Sequence, residues 1–501
     1  FPEHDTLAFS DAMLLPGLVL SPLFWSRVNP VAVYNITLFV AFSLSGLTTW
    51  MLARRLTGSG WAGLIAGTIF AFAPYRFTHY MHLELQFVFW MPLGLLLIHR
   101  IAESRRLRDG LLLGLVMAGL ALSTVYGAIF FATYCAVFAP VLYMASRPVS
   151  LKKPLLALVL AAAVAAVIAA PYGAAYHRAE RSVGSRSIAE IQRYSPSIQN
   201  YFQAPDINRL YGSTAETDPI WANELNLFPG LVALTLAAIG LLPRAPRMRF
   251  VYLAALLFAF DFSRGLNGLT YPVLYRYVSP FRGLRSPARI DILVNLSLAI
   301  LAGYGVTWLL ARINTRLWRQ LVPAAILALL VVEYASLPQL EPAPLPSPVD
   351  AWLARQPPLV IVELPLQSRS EERQSRDWIY QFQGINHEQK MLNGYSGFAP
   401  PSYYAMLDAM EGFPDDRSMA LLRERHVDYV IVRGWRYKEG LWPLVSARMG
   451  ARPDLVRVVT FSPKTQPEAI YAVREAVTAP VQAPVPASTV TYPRARRRES
   501  R

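Results

Sequence analysis

The sequence predicts a mainly α-helical, polytopic membrane protein: a transmembrane helix bundle of about ten spans with a C-terminal extracytoplasmic α/β domain. Three observations predict it. The 501 residues are 54% hydrophobic and only 16% charged, with a mean hydropathy of +0.30, whereas about a quarter of the residues in a soluble globular chain are charged. Apolar runs recur through the first two thirds of the chain. After residue 338 the pattern changes to short alternating strand and helix signals.

The apolar runs lie near residues 31–52, 60–73, 87–102, 110–122, 127–145, 154–170, 226–242, 249–262, 288–311 and 321–337. Crossing a hydrocarbon core takes about 20 helical residues, so the shorter runs need flanking residues to complete a span. Every second connection is short and basic. Arg54 and Arg55 follow the first run, Arg100, Arg105, Arg106 and Arg108 the third, Arg147, Lys152 and Lys153 the fifth, Arg244, Arg247 and Arg249 the seventh, and Arg312, Arg316 and Arg319 the ninth. Arginine and lysine collect in cytoplasmic loops. The other connections, 1–30, 74–86, 171–225, 263–287 and everything after 338, are therefore expected to face outward. Ten crossings then place residue 1 outside as well, and a further span is expected ahead of Phe1. No 20-to-50-residue repeat stands out.

The net charge of +15 would suit a nucleic-acid partner, but its placement in short loops is a topology signal, so no nucleic acid is expected. Only five of the 48 basic residues are lysine, as a GC-rich bacterial genome produces. Cys135, the one cysteine, leaves no intrachain disulfide and no cysteine-based metal site. Walker A, G-x-G-x-x-G, G-x-S-x-G and H-E-x-x-H patterns are all missing, so ATP-driven transport and the common hydrolase mechanisms have no support.

Beyond a Pro-rich linker (338–350), PLVIVELP and DYVIVR read as buried strands, MLDAMEGF and PLVSARMG as helices, and LVRVVTFS and AIYAVRE as closing strands. That order makes a small α/β domain over 351–476. The Pro- and Ala-rich stretch 477–501, ending RARRRESR, reads as a disordered basic tail.

Chemistry-bearing residues gather in the outer loops. FPEHDTLAFSD carries Asp5 and Asp11 as candidate catalytic carboxylates; a solvated acidic loop would look the same. In AFAPYRFTHYMHLELQF, a helix continued outward from the third run would put Arg76, His79, His82 and Gln86 on one stripe, with Glu84 on the opposite face. Such a stripe suits a cavity binding phosphate or sugar hydroxyls, or else an interfacial belt of snorkelling side chains. SPFRGLRSPARID places Arg282, Arg285 and Arg289 on the side where positive charge is disfavoured, and guanidinium groups bind phosphate oxygens bidentately. Glu224, in WANELNLFPG, stands among aromatics and amides of the kind that bind sugars. His387, Lys390, Asn393 and Tyr395 read as part of a plain strand–turn–helix.

The ordered set LAFSDAMLLPGL, FAPYRFTHYMHLELQ, NELNLFPG, FRGLRSPARI, LNGYSGFAPPSY and DYVIV resembles bacterial multi-pass proteins of the GT-C glycosyltransferase superfamily, close to the YfhO-like membrane proteins. The resemblance covers nearly the whole chain. It implies an integral membrane glycosyltransferase of the bacterial cytoplasmic membrane, transferring a hexosyl or pentosyl group from a polyprenyl-phosphate-linked donor to a cell-envelope glycan, lipid or protein. It also implies an acid in the first outer loop, for which Asp5 and Asp11 stand in, since no D-x-D pair is present. The arginines at 282, 285 and 289 would hold the donor phosphate, with Arg76, His79, His82 and Glu224 lining the same cavity. A divalent metal, Mg or Mn, is compatible with the resemblance, but no residue set specifies one. The alternative is a non-enzymatic transporter, flippase or assembly protein for lipid-linked glycans. Transporters place polar groups near the midplane, and these spans are nearly charge-free, Asp261 being an exception.

Overall fold

The computed structural model describes residues 2–104, 106–146, 151–218, 222–243, 246–338, 340, 342–366, 377–438, 440–461 and 467–474, with backbone only at 222 and 223. The basic tail assigned to 477–501 lies outside the described residues. The chain divides into two compact units, Asp11–Glu341 and a second made of Phe1–Ser10 with Pro342–Arg501.

Asp11–Glu341 is a helical bundle. Five of the ten apolar runs lie in helical stretches long and apolar enough to cross a membrane: Pro30–Thr57, Leu83–Ser104, Val125–Ser146, Lys152–Val183 and Pro287–Leu310. The protein is therefore a mainly helical membrane protein. The other five runs form Gly60–Ala71, Leu107–Ser123, Leu231–Gly240, Arg249–Ser263 and Arg316–Glu333, which are too short or too charged to be counted as spans. The ten residues of Leu231–Gly240 reach only about 15 Å at 1.5 Å per residue. A further helix, Leu14–Trp25, occupies the mildly apolar run near the start. The loop expected from residue 171 instead begins as helix, because Lys152–Val183 continues through Pro171 and carries Tyr176, His177 and Glu180 on its last turns.

Burial orders these helices. The most apolar window of Pro287–Leu310 is 83% buried, that of Lys152–Val183 only 11%. A helix apolar on all sides belongs in a core, and one apolar on its outer face belongs against lipid. Asp291 through Val306 are all buried. Glycine permits the closest approach to this central helix: a Cβ at Gly305 would lie 2.0 Å from the carbonyl oxygen of Leu236, and one at Gly240 2.1 Å from that of Leu301. Small residues at helix crossings are the usual basis of tight packing in membranes, where burial from water supplies no drive. Polar side chains tie the same core together, as in Tyr134 Oη with Ser297 Oγ at 2.9 Å and His99 Nε2 with Tyr252 Oη at 2.9 Å.

The second unit holds a five-stranded sheet. Strands β1 (Val360–Leu364), β2 (Lys390–Met391), β3 (Tyr429–Arg433), β4 (Leu455–Phe461) and β5 (Glu468–Val473) are ordered β2-β1-β3-β5-β4. The β1–β2 and β1–β3 pairs are parallel, while β3–β5 and β4–β5 are antiparallel. β1, β3 and β5 are apolar on both faces because helices and side chains cover both. The end of the Pro-rich linker is ordered: Pro348–Leu353 is a helix with a Ser347–Asp350 capping box and proline in its first turn. Asn393 is structural. Its amide donates to Glu363 O (2.9 Å) and its carbonyl accepts from Glu363 N (2.7 Å), extending the β2 edge by side chain.

Arg433 organises this domain. It is 1% exposed and contacts Asp350, Glu363 and Glu468, each at 2.9 Å, and Ser347 Oγ at 2.6 Å. Burial pushes the Glu363 carboxyl up, and Arg433 only partly opposes it. Removing one side of such a buried network typically costs about 3–5 kcal/mol. Arg433→Met is accordingly expected to destabilise the full-length protein by roughly that amount, read as a lowered denaturant midpoint of the C-terminal unit. Gly305→Val should lower the thermal stability of the detergent-solubilised protein, since overpacking costs about 1–3 kcal/mol.

Candidate functional site

The site is built in the bundle from four segments far apart in sequence. The first is the connection between Gly60–Ala71 and Trp90–Ser104. Pro74 opens a short helix, Pro74–Thr78, in the N-terminal position proline favours. The chain then turns and re-enters through the 3₁₀ turn Leu83–Gln86. The stripe expected from one continuous helix therefore does not form as a helix. Gln86 folds back instead, donating from Nε2 to His79 O (2.8 Å) and accepting from Arg76 Nε at Oε1 (3.1 Å). Arg76 also donates to Ala71 O (3.0 Å) and Gln86 O (3.2 Å), and its guanidinium lies 4.3 Å from the centroid of the Phe42 ring. It is 2% exposed and has no carboxylate partner among the described residues. Burial pulls it down to about 9, so it remains cationic at neutral pH. His82 points outward, its Nδ1 3.1 Å from Glu84 Oε1, so Glu84 does not face away as expected.

The second segment supplies Glu224, on the short helix Ala222–Leu225. Gly230 follows at φ +98°, where a Cβ would also lie 2.7 Å from the Tyr334 ring; only glycine takes that turn readily. The third supplies Ser286 and Arg289, on the turn leading into the central helix. Glu224 is gripped from three sides. Arg289 donates from Nε (3.0 Å) and Nη2 (2.5 Å) to Oε1, Ser286 Oγ donates to Oε2 at 2.8 Å, and His79 Nε2 lies 3.4 Å from Oε2. His79 Nδ1 is 3.0 Å from Tyr75 O. A carbonyl can only accept, so Nδ1 carries a hydrogen. Burial would raise the Glu224 carboxyl, but Arg289 and then His79 outweigh it and hold it well below the usual range.

The fourth segment is the start of Val125–Ser146. Asp11 Oδ1 accepts from Val125 N at 2.6 Å, and Oδ2 from Thr124 Oγ1 at 3.3 Å, capping that helix. Burial, aided by the Glu84 charge, pushes the Asp11 carboxyl up to about 6 against the Val125 N–H and Arg289. A pocket of about 400 Å³, including its opening to solvent, is lined by Tyr75, Arg76, His79, Gln86, Thr124, Tyr126 and Arg289 with apolar neighbours.

The structure thus brings Asp11, Arg76, His79, Glu224 and Arg289 to one place. It separates the other candidates. Asp5 belongs to the second unit, at φ 54° ahead of the turn Thr6–Phe9. Arg282 is exposed and spends its guanidinium on its own loop, donating to Tyr275 O (3.3 Å) and Arg276 O (2.9 Å). Arg285 is half-buried beside the pocket. Its backbone N–H donates to Tyr126 Oη at 2.7 Å, and its guanidinium lies 5.1 Å from the centroid of the Tyr194 ring. It makes no ion pair among the described residues. Gln86, named in the expected stripe, completes the site with Tyr126, Thr124 and Ser286, and nothing in the sequence context of these last three marked them. Trp221, grouped with Glu224 on composition, lies outside the described residues. Among the described residues no three His, Cys, Asp or Glu side chains are placed to hold a metal ion.

Glu224→Gln should destabilise the protein at neutral pH, because the buried Arg289 loses its counter-charge at a cost of about 3–5 kcal/mol. The folded-state carboxyl is depressed, so its stabilisation is complete above the unfolded value of 4.5 and is lost as pH falls through the lower folded value. The gap between wild type and variant should therefore close only in strong acid, measured by thermal unfolding across pH.

No family model matches the chain, and no curated protein matches it.

Proposed function

We propose that this protein is a lipid-phosphosugar-dependent glycosyltransferase of the GT-C type, acting at the outer face of a bacterial cytoplasmic membrane on a cell-envelope acceptor. The observation that carries the reading is a pocket lined by Arg76, with an acid of raised pKa, Asp11, bonded to its lining residue Thr124 and Arg285 bonded through its backbone to its lining residue Tyr126; neither arginine has a carboxylate partner among the described residues. A pocket holding uncompensated guanidinium groups favours an anion, and a base beside it favours removal of a proton.

In this reaction the acceptor hydroxyl gives its proton to Asp11 as its oxygen bonds to the anomeric carbon. The bond from that carbon to the phosphate oxygen breaks, and the lipid phosphate leaves with the electron pair. General-base assistance contributes about 10²–10⁴-fold. Cations placed where charge develops stabilise the departing phosphate. Arg285, without an acid partner among the described residues and flanked by Tyr194 and Tyr126, is the better phosphate ligand. Arg289 is spent on Glu224 and acts as a positioning residue, holding Ser286 and His79 at the pocket wall through that carboxylate. Asp5 and Arg282 have no part in this scheme.

Purified full-length protein in lipid nanodiscs, given polyprenyl-phosphate sugars and cell-envelope acceptors, should release polyprenyl phosphate. Asp11→Asn should lower turnover by about 10²–10⁴-fold. Arg285→Ala should impair it strongly, while Arg282→Ala stays near wild type. The rate should rise as pH increases through about 6, because only the ionised carboxylate accepts a proton. No release from any donor in the series would sink the assignment, and equal losses for Arg282→Ala and Arg285→Ala would remove Arg285 from its role.

A further inference from the structure

A second acidic group lies deeper, and the transfer scheme does not use it. Asp291 opens the central helix and is 0% exposed, in the first turn of a membrane-length segment. Its Oδ2 accepts from Asn295 Nδ2 at 2.5 Å, one helical turn further on, and Asn295 Nδ2 also donates to Asp291 O at 3.1 Å. Asp291 Oδ1 and Asn295 Oδ1 are both buried without a hydrogen-bond partner. No lysine, arginine or histidine lies within ion-pair distance of Asp291 among the described residues.

No basic group pairs with it among the described residues. Tyr75 and Tyr201 lie close enough to feel its charge, and both are neutral phenols. The Tyr201 hydroxyl is bonded to Ser263 Oγ, and the Tyr75 hydroxyl is itself buried without a partner. Arg289, two residues away, is held by Glu224. Arg264 acts on the Tyr201 phenol. The dipole at the start of a helix favours an anion, but it recovers only a small part of what burying a bare carboxylate costs. A buried acid in that position neutralises itself by taking up a proton. Ionisable groups at such positions mark functional sites in membrane proteins.

We infer that Asp291 and Asn295 form a proton-binding site: the Asp291 carboxyl is held protonated at neutral pH, enclosed within the bundle near the phenols of Tyr75 and Tyr201. The site is separate from Asp11, whose carboxyl caps the helix Val125–Ser146. It requires no sugar transfer, so it stands whatever the fate of that assignment.

Infrared spectroscopy of the full chain in lipid nanodiscs tests it. Protein carrying isotope-labelled aspartate should show the shifted carbonyl stretch of a protonated, weakly hydrogen-bonded carboxylic acid. That band should persist from mildly acidic to mildly alkaline buffer and be unchanged when sodium replaces potassium. Asp291→Asn should remove it and keep the melting temperature within about 3 °C, as an uncharged isostere does. Should that variant fail to fold, the labelled wild-type spectrum still decides. Loss of only a carboxylate band in the variant, or a wild-type spectrum that answers to sodium, would show an ionised Asp291 and overturn the inference.

Discussion

The grip of Arg289 on Glu224 is the constraint on which the rest of the site depends. Both groups are almost wholly enclosed in a membrane protein, where an unpaired charge would cost several kcal/mol even after relaxation. Satisfying the carboxylate therefore draws three chain segments together: the helix Ala222–Leu225, the turn before the central helix, and the re-entrant stretch carrying His79. The pocket is the space these segments leave beside the pair. Its wall positions follow from the geometry of one ion pair rather than from local helix preference.

That pair also decides which arginines are available for binding. A guanidinium already donating twice to a carboxylate has little left for a phosphate. Arg76 is enclosed and uncompensated, its donors occupied by carbonyl oxygens, so it contributes field rather than contact. Among the described residues neither Arg282 nor Arg285 forms an ion pair, but Arg282 donates to carbonyls of its own loop, whereas the Arg285 guanidinium lies by the Tyr194 ring and its backbone bonds to Tyr126 in the pocket wall. Charge count in the segment is thus a poor guide to function, and the partner of each charge is a good one.

The C-terminal unit solves a similar problem with opposite stoichiometry. In the bundle two basic side chains surround one carboxylate; in the sheet domain three carboxylates surround Arg433. There the network joins the helix Pro348–Leu353 to β1, β3 and β5. Buried polar networks of this kind are costly when incomplete. Burial raises the Glu363 carboxyl, with the Asp350 charge adding to it, and its Oε1 has no hydrogen-bond partner.

Much of the architecture is legible in the residues themselves. Long apolar runs announce membrane-length helices because hydrocarbon tolerates little else, and PLVIVELP and DYVIVR announce buried strands because both faces are apolar. Each of the ten apolar runs became a helix, though the runs neither showed which five reach membrane length nor included Leu14–Trp25. The site was legible only as a pool of candidates. Residues 11, 76, 79, 224 and 289 carry suitable chemistry, with 285 beside them, but so do 5, 82 and 282, and no local periodicity separates the two groups. Tertiary structure decided which met, because an ion pair in low dielectric is worth far more than any local preference. It turned the supposed helical stripe into a re-entrant fold held by Gln86. It also left Asp291 without a counter-charge, a property of three-dimensional surroundings that no reading along the chain contains.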